Sequence, residues 1–191
     1  MKNVNDEEKK RLRTHYLKLR KNMPSGERQP RDEAIFINAA GFLDSLRAST
    51  VFSYVSVLGE VDTHRLIRRT LQNGGQVICP SPDIRALPEH GFCEVSGISE
   101  AGMPELVALN PDARIPIDAA IVPGVVWDRQ GFRVGFGGGY FDRLLEKLGA
   151  SLPRIGLSYE CQLVDQVPRD PWDQAVHILI TERQLIKTRP D

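Results

Sequence analysis

AAIVPGVVWDRQGFRVGFGGGYFDR, residues 119–143, is the stretch that decides how this chain folds. Its first four residues, Ala119-Ala120-Ile121-Val122, are wholly apolar and stop at Pro123-Gly124, the pattern of a short buried strand. At its other end Tyr140 opens a helix to Leu148, with Leu144, Leu145 and Leu148 inward. Between the two, Gly135, Gly137, Gly138 and Gly139 fall within five positions, directly before that helix. Glycine has no Cβ, so its backbone N–H groups approach and wrap an anion closely. The helix start adds unpaired N–H donors and the positive end of a dipole. Together they form a phosphate cradle, and open α/β sheets bind ligands at this, the C-terminal, end of their strands.

The flanking chain continues the alternation. Thr50 to Val57 is dense in β-branched and aromatic residues and reads as a strand bounded by Leu58-Gly59. Asp62 or Thr63 then caps a helix carrying Leu66, Ile67 and Leu71, which stops at Asn73-Gly74-Gly75. Gln76 to Cys79 follows as a strand, so this succession implies a parallel pair with a right-handed crossover. Upstream, residues 6–22 form a basic helix whose apolar face is Leu12, Tyr16 and Leu19, ended by Pro24. A second helix begins at Ser25, its cap, and runs through Ile35, Ala39 and Leu43 to about Leu46. Residues 80–117 read as an irregular excursion with an antiparallel hairpin and a short strand near Phe92–Val95. Arg154–Leu157 and Val176–Ile180 supply two more strands. The expected fold is a single α/β domain over residues 1–191. It is an open, mainly parallel sheet flanked by helices on both sides, with a glycine-rich nucleotide-binding loop.

Composition narrows the function classes. Lys+Arg and Asp+Glu each total 25 of the 191 residues, and a net charge of zero argues against a nucleic-acid partner. No apolar stretch approaches the roughly 20 residues that span a membrane. The N-terminus, MKNVNDEEKKRLRTHYLKLRK, is charged throughout and is not a secretory signal. Three cysteines without CxxC spacing suit neither a disulfide framework nor a structural zinc site. A cytoplasmic monomer acting on small molecules is the expectation.

The glycine loop is neither a Walker loop, since no Gly-Lys-Ser/Thr follows, nor a GxGxxG fingerprint. Its glycines alone would serve a tight turn equally well. Its neighbours favour phosphate. Arg133 and Arg143 flank it and share the charge load. Asp142, in the first helical turn, is a carboxylate placed for a magnesium ion that bridges phosphates, although it would also suit the helix dipole alone.

At this point the pattern PG–(V/L)–x–x–D–x–x–G–x–R–x–G–x–G–x–G–Y–x–D–R resembles the signature of the 5-formyltetrahydrofolate cyclo-ligase family. The resemblance extends over essentially the whole chain and is weakest between about 83 and 116. It implies ATP as co-substrate, Mg2+ as cofactor, and closure of 5-formyltetrahydrofolate to 5,10-methenyltetrahydrofolate. It implies an ATP site made of Lys9, Lys10, Arg11, Leu12 and Arg13, together with Arg133, Val134, Gly135, Phe136, Gly137, Gly138, Gly139, Tyr140 and Phe141. The folate would be held by Arg13, Val55, Glu60, Phe136, Gly137, Gly138, Gly139 and Tyr140. Glu60 lies in Gly59-Glu60-Val61-Asp62-Thr63, which resembles the family's pterin-binding element. A carboxylate there accepts paired hydrogen bonds from the amino group and ring N–H of a pterin. Arg133 and Tyr140 would be catalytic, and Asp142 and Asp173 would hold the metal, Asp173 from the VPRDPWD element. The chain departs from common family forms at Gly138, Phe136, Trp172 and His177. His177, beside Ile178-Leu179-Ile180, reads as a hydrogen-bonded structural residue.

The implied chemistry is phosphorylation of the formyl oxygen by ATP, attack of N10 on the activated carbon, and loss of phosphate. Two other classes fit a glycine loop on this scaffold: a sugar-phosphate isomerase or CoA-transferase-like enzyme, and a non-catalytic nucleotide- or folate-binding module.

Overall fold

The computed structural model describes residues 4–81, 92–110 and 115–188. The chain opens with helices α1 (Val4–Lys21) and α2 (Ser25–Leu46), then β1 (Thr50–Phe52), α3 (His64–Gln72) and β2 (Gln76–Pro80). Strands β3 (Phe92–Ile98), β4 (Pro104–Ala108), β5 (Ala119–Val122), β6 (Val126–Asp128) and β7 (Arg133–Val134) precede α4 (Tyr140–Leu148). The chain closes with β8 (Arg154–Leu157), β9 (Leu163–Val164), β10 (Ile178–Ile180) and β11 (Leu185–Lys187).

Eight strands form one sheet in the order β11-β10-β8-β5-β1-β2-β3-β4. The central five, β10 to β2, run parallel, and antiparallel strands close both edges. Side chains alternate across the sheet as the pleat requires. Val51, Ala119, Ile121 and Ile155 meet Ile35, Ala39 and Leu43 of α2 on one face. Phe52, Ala120, Val122 and Leu179 meet Leu144 and Leu145 of α4 on the other. The mainly parallel sheet with helices on both sides therefore forms as expected. None of the described helices is long and apolar enough to cross a membrane.

A second sheet, in the order β7-β6-β9, stands beside the first and carries the glycine loop at the end of β7. Trp127 of β6 is fully buried and wedges it into place. A Cβ on Gly124 or Gly156 would come within 2.4 or 2.6 Å of the Trp127 ring, so both positions require glycine. Leu12 and Tyr16 of α1 pack on Val126, Val134 and Val167 of this layer.

Three local expectations are corrected. Strand β1 ends at Phe52 rather than Val57. Beyond it the N–H groups of Ser56 and Val57 donate to the Thr63 hydroxyl and the Glu60 carboxylate, which replace ladder partners. Leu19 of α1 is exposed, and Arg20 turns inward instead. Helix α2 has Pro24, not Ser25, at its N-cap position, with no side-chain cap bond.

From β1 the chain passes through α3 to β2 on one side, and from β5 through α4 to β8 on the other. The C-terminal ends of β1 and β5 therefore flank a topological switch point, where such sheets bind ligands.

Candidate functional site

Two loops leave that switch point. The one after β5 leads through β6 and β7 to Gly135–Gly139 and the N-terminus of α4. Among the described residues, no hydrogen bond is donated by the backbone N–H of Phe136, Gly137, Gly138 or Gly139. Helix α4 has no side-chain cap either. Their donors are thus available to an anion. The carbonyls are instead taken by arginines: Arg13 Nε donates to Gly135 O at 2.6 Å and Arg143 Nη2 to Gly138 O at 3.0 Å. Gly137 has φ 102°, in the region that disfavours a side chain, and a Cβ there would lie 3.2 Å from Arg13 Nη2.

Helix α1 brings three cations to the crevice on one face, Lys9, Arg13 and Arg20, at helical spacings of four and seven. Lys9 Nζ pairs with Asp170 at 2.7 Å and with Asp173 at 2.6 Å. Burial pulls the Lys9 ammonium down, but its bonds to the two aspartates outweigh this and hold it above the ordinary lysine value. Lys9 in turn holds Asp170 below the usual carboxylate range. Arg133, buried, donates to Asp142 Oδ1 at 3.0 Å and to Gln174 O at 2.7 Å. The Gln174 N–H also donates to Asp142 Oδ1. The 170–174 segment is thereby tied to both α1 and α4.

The second loop, after β1, presents Glu60. Its Oε2 accepts from Val57 N at 3.0 Å, and its Oε1 lies 4.0 Å from Arg20 Nη2. Burial raises the Glu60 pKa, against the opposing pull of that N–H and of Arg20. A cleft of about 240 Å3 opens beside it, lined by Arg28, Asp32, Ser56, Val57 and Glu60 among others. A slightly larger hollow of about 270 Å3 lies far from both loops, at the opposite end of β1 and β2 near Ser49 and Gly75. The chemistry-bearing side chains favour the first. Phe136, 49% exposed on the glycine loop, has its ring 5.7 Å from Arg20 Cζ.

Other expected site residues lie apart from this cluster. Lys10 and Arg11 sit on the solvent face of α1, Arg11 paired with Glu8 at 3.8 Å. Leu12 and Val134 pack in the layer beneath the loop. Val55 packs against Ile67 and Val77. Phe141 stacks edge-on against Phe52 and Tyr140. The Tyr140 hydroxyl is buried with no hydrogen-bond partner among the described residues, and burial beside Cys79 and Cys93 pushes it up to about 12.

Sequence reasoning passed over three residues. Asp128 is fully buried; its carboxylate accepts from the N–H groups of Gln130, Phe132 and Val167 and from Arg169, fixing the β6 turn to the 165–170 segment. Asp170 was legible as the first acid of the DPWD run. Arg20 was legible only as a charge in phase with Arg13. His177 Nδ1 accepts from Arg154 N between β8 and β10, the structural role its setting implied.

Among the described residues no three His, Cys, Asp or Glu side chains converge to hold a metal alone. Magnesium bound through phosphates needs only one or two carboxylates. The bonds above engage Asp142 Oδ1 and Asp173 Oδ2, leaving one oxygen of each outside them. The donor set suits magnesium brought by a nucleotide.

A family model described as the 5-formyltetrahydrofolate cyclo-ligase family matches residues 5–182. A 5-formyltetrahydrofolate cyclo-ligase of Haemophilus influenzae is 27% identical, over 89% of this chain and 95% of its own. One from Escherichia coli K12 is 32% identical over 72% of this chain and 80% of its own. The solved 5,10-methenyltetrahydrofolate synthetase of Aquifex aeolicus superposes with a TM-score of 0.76 at 31% identity, covering 95% of this chain and 93% of that one.

Proposed function

Since this chain belongs to the 5-formyltetrahydrofolate cyclo-ligase family, we propose that it uses ATP to close 5-formyltetrahydrofolate into 5,10-methenyltetrahydrofolate in the β1–β5 crevice. The observation that carries this assignment of the site is the glycine-loop N–H array, unpaired among the described residues, on the loop that leaves β5 beside the Glu60 loop of β1.

The formyl oxygen is a poor leaving group as hydroxide, and phosphorylation converts it into a good one. The oxygen attacks the γ-phosphorus and ADP departs. N10 then attacks the activated carbon and gives up its proton, and phosphate leaves with the former formyl oxygen, taking that proton. This asks the protein for positioning and charge stabilisation rather than a covalent nucleophile. The loop N–H groups and the α4 N-terminus take the phosphate chain. Lys9, Arg13 and Arg133 offset its charge, Lys9 and Arg133 exchanging part of their aspartate contacts for phosphate oxygens. Asp142 and Asp173 would hold Mg2+, which supplies further neutralisation of those oxygens. Glu60 takes the pterin edge, and Phe136 lines the folate path. Arg133 is the catalytic cation; the ring of Tyr140 shapes the base of the loop.

The test is methenyl-folate absorbance during incubation of pure protein with 5-formyltetrahydrofolate, ATP and magnesium. Growth of that band requiring all three, matched by ADP release, is expected. A flat trace from folded, ATP-binding protein would return the chain to the class of non-catalytic binding modules.

A further inference from the structure

Arg20 is the most deeply placed cation of α1, its side chain 1% exposed. A guanidinium carries five N–H donors. Among the described residues only Nη1 is engaged, by Gly124 O at 3.3 Å, while Nε and Nη2 are buried without a hydrogen-bond partner. Burying donors and charge in this way is costly, and a buried ion pair rarely stabilises a fold more than an apolar pair of the same size. Packing alone therefore does not account for an arginine here.

What Arg20 faces does. Its Nη2 lies 4.0 Å from Glu60 Oε1, the Glu60 oxygen that Val57 N does not engage. Arg28 and Asp32 of α2, Tyr54 after β1 and Tyr159 after β8 complete the charged and titratable surroundings. Arg28 is turned to the carbonyls of Arg20 and Met23, and Asp32 to Tyr159 and the Asp62 N–H. That leaves Arg20 as the cation directed at Glu60. It also touches the end of β5 through Gly124 and lies under Phe136 of the glycine loop.

We propose that Arg20 is a positioning residue for folate recognition: its guanidinium keeps Glu60 a carboxylate turned to the crevice, ready to accept the pterin N–H groups. The inference rests on the reading of Glu60 as the pterin ligand. Burial works against the ionised carboxylate, and Arg20 is the nearby charge that favours it. The arrangement confines the effect to folate, because the phosphate cradle uses other cations.

Calorimetric binding of 5-formyltetrahydrofolate and of ATP to Arg20→Met, Arg20→Lys, Glu60→Gln and the Met/Gln double variant tests it. Arg20→Met should raise the folate Kd about tenfold and leave the ATP Kd within about twofold, inside the range of coupling between residues of one ion pair. Arg20→Lys should recover part of the loss. In the Glu60→Gln background, Arg20→Met should add less than about twofold, the signature of coupled residues. Should Arg20→Met fail to fold, Arg20→Lys carries the test through its selective effect on folate. Equal weakening of both ligands, or a full Arg20 effect persisting without Glu60, overturns the positioning role. If Glu60→Gln itself leaves folate binding unchanged, the reading of Glu60 falls, and the role of Arg20 falls with it. A silent Arg20→Met beside a damaging Glu60→Gln removes only the present proposal.

Discussion

The two halves of the crevice handle charge in opposite ways. On the glycine-loop side, Lys9, Arg133 and three aspartates are joined in short ion pairs, and a run of N–H groups is unpaired among the described residues. On the Glu60 side the Glu60 carboxylate and the Arg20 guanidinium are buried 4.0 Å apart, with Arg20 donors left over among the described residues. The first arrangement suits a polyanion that arrives with its own cation, because each protein charge already has a partner to exchange. The second suits a neutral heterocycle, because a desolvated carboxylate discriminates sharply between an N–H edge and anything else. An enzyme that passes a phosphoryl group from a nucleotide to a folate needs both in one cleft.

If the halves differ in this way, variants should separate them, most strongly where the chemistry is. Arg133→Ala, measured by steady-state turnover at saturating substrates, should lower kcat by about 10²–10³-fold, as losing a transition-state cation does. Folate binding should persist; loss of both would mean that Arg133 serves the fold. Glu60→Gln should raise the folate Kd by about ten- to a hundredfold, the cost of unpairing a charged hydrogen bond, and leave ATP binding within about twofold. Gly137→Ala should do the reverse. A side chain at φ 102° beside Arg13 costs about 1–2 kcal/mol, so ATP affinity should fall roughly tenfold with folate affinity intact. Lys9→Ala and Lys10→Ala sharpen the contrast within α1, since only Lys9 faces the crevice. Loss of ATP affinity on Lys9→Ala should exceed about fivefold, whereas Lys10→Ala should fall within the scatter of surface substitutions.

The smallest effect is on pH. Burial, with Arg154 nearby, holds His177 below the ordinary histidine value. The unfolded chain therefore binds the proton more readily, so the stability from neutral His177 is complete above about pH 6.5 and is lost as pH falls through the folded value. Thermal unfolding of wild type and His177→Gln between pH 7.5 and 5 should show a decline in the wild type that the variant lacks. Parallel curves would show that His177 does not titrate in that range.

The same contrast explains what was readable from sequence. The parallel sheet was, because Ala119–Val122 is buried on both faces and wholly apolar, and the strands beside it are buried and apolar after their first residue. The position of the glycine run before α4 was, because four glycines within five residues stand out in the sequence whatever they bind. Strands β6, β7, β9 and β11 were not, being two or three residues long and lacking the dense apolar or β-branched runs that mark β1 and β10. Nor was the early end of β1, since its cause is the reach of Glu60 and Thr63 across a loop. Arg20 was hidden for a related reason. A charged residue in a basic helix reads as solvated, and its burial against Glu60, 40 residues on in the chain, is purely tertiary.

The central claim is that the two halves bring the formyl oxygen to the γ-phosphate. The most direct measurement is transfer of 18O from 5-formyltetrahydrofolate labelled in its formyl oxygen, read by mass spectrometry of the released phosphate. The account predicts that each phosphate released carries the label. Label recovered in water, with unlabelled phosphate from an ATP cleaved by solvent, would contradict it.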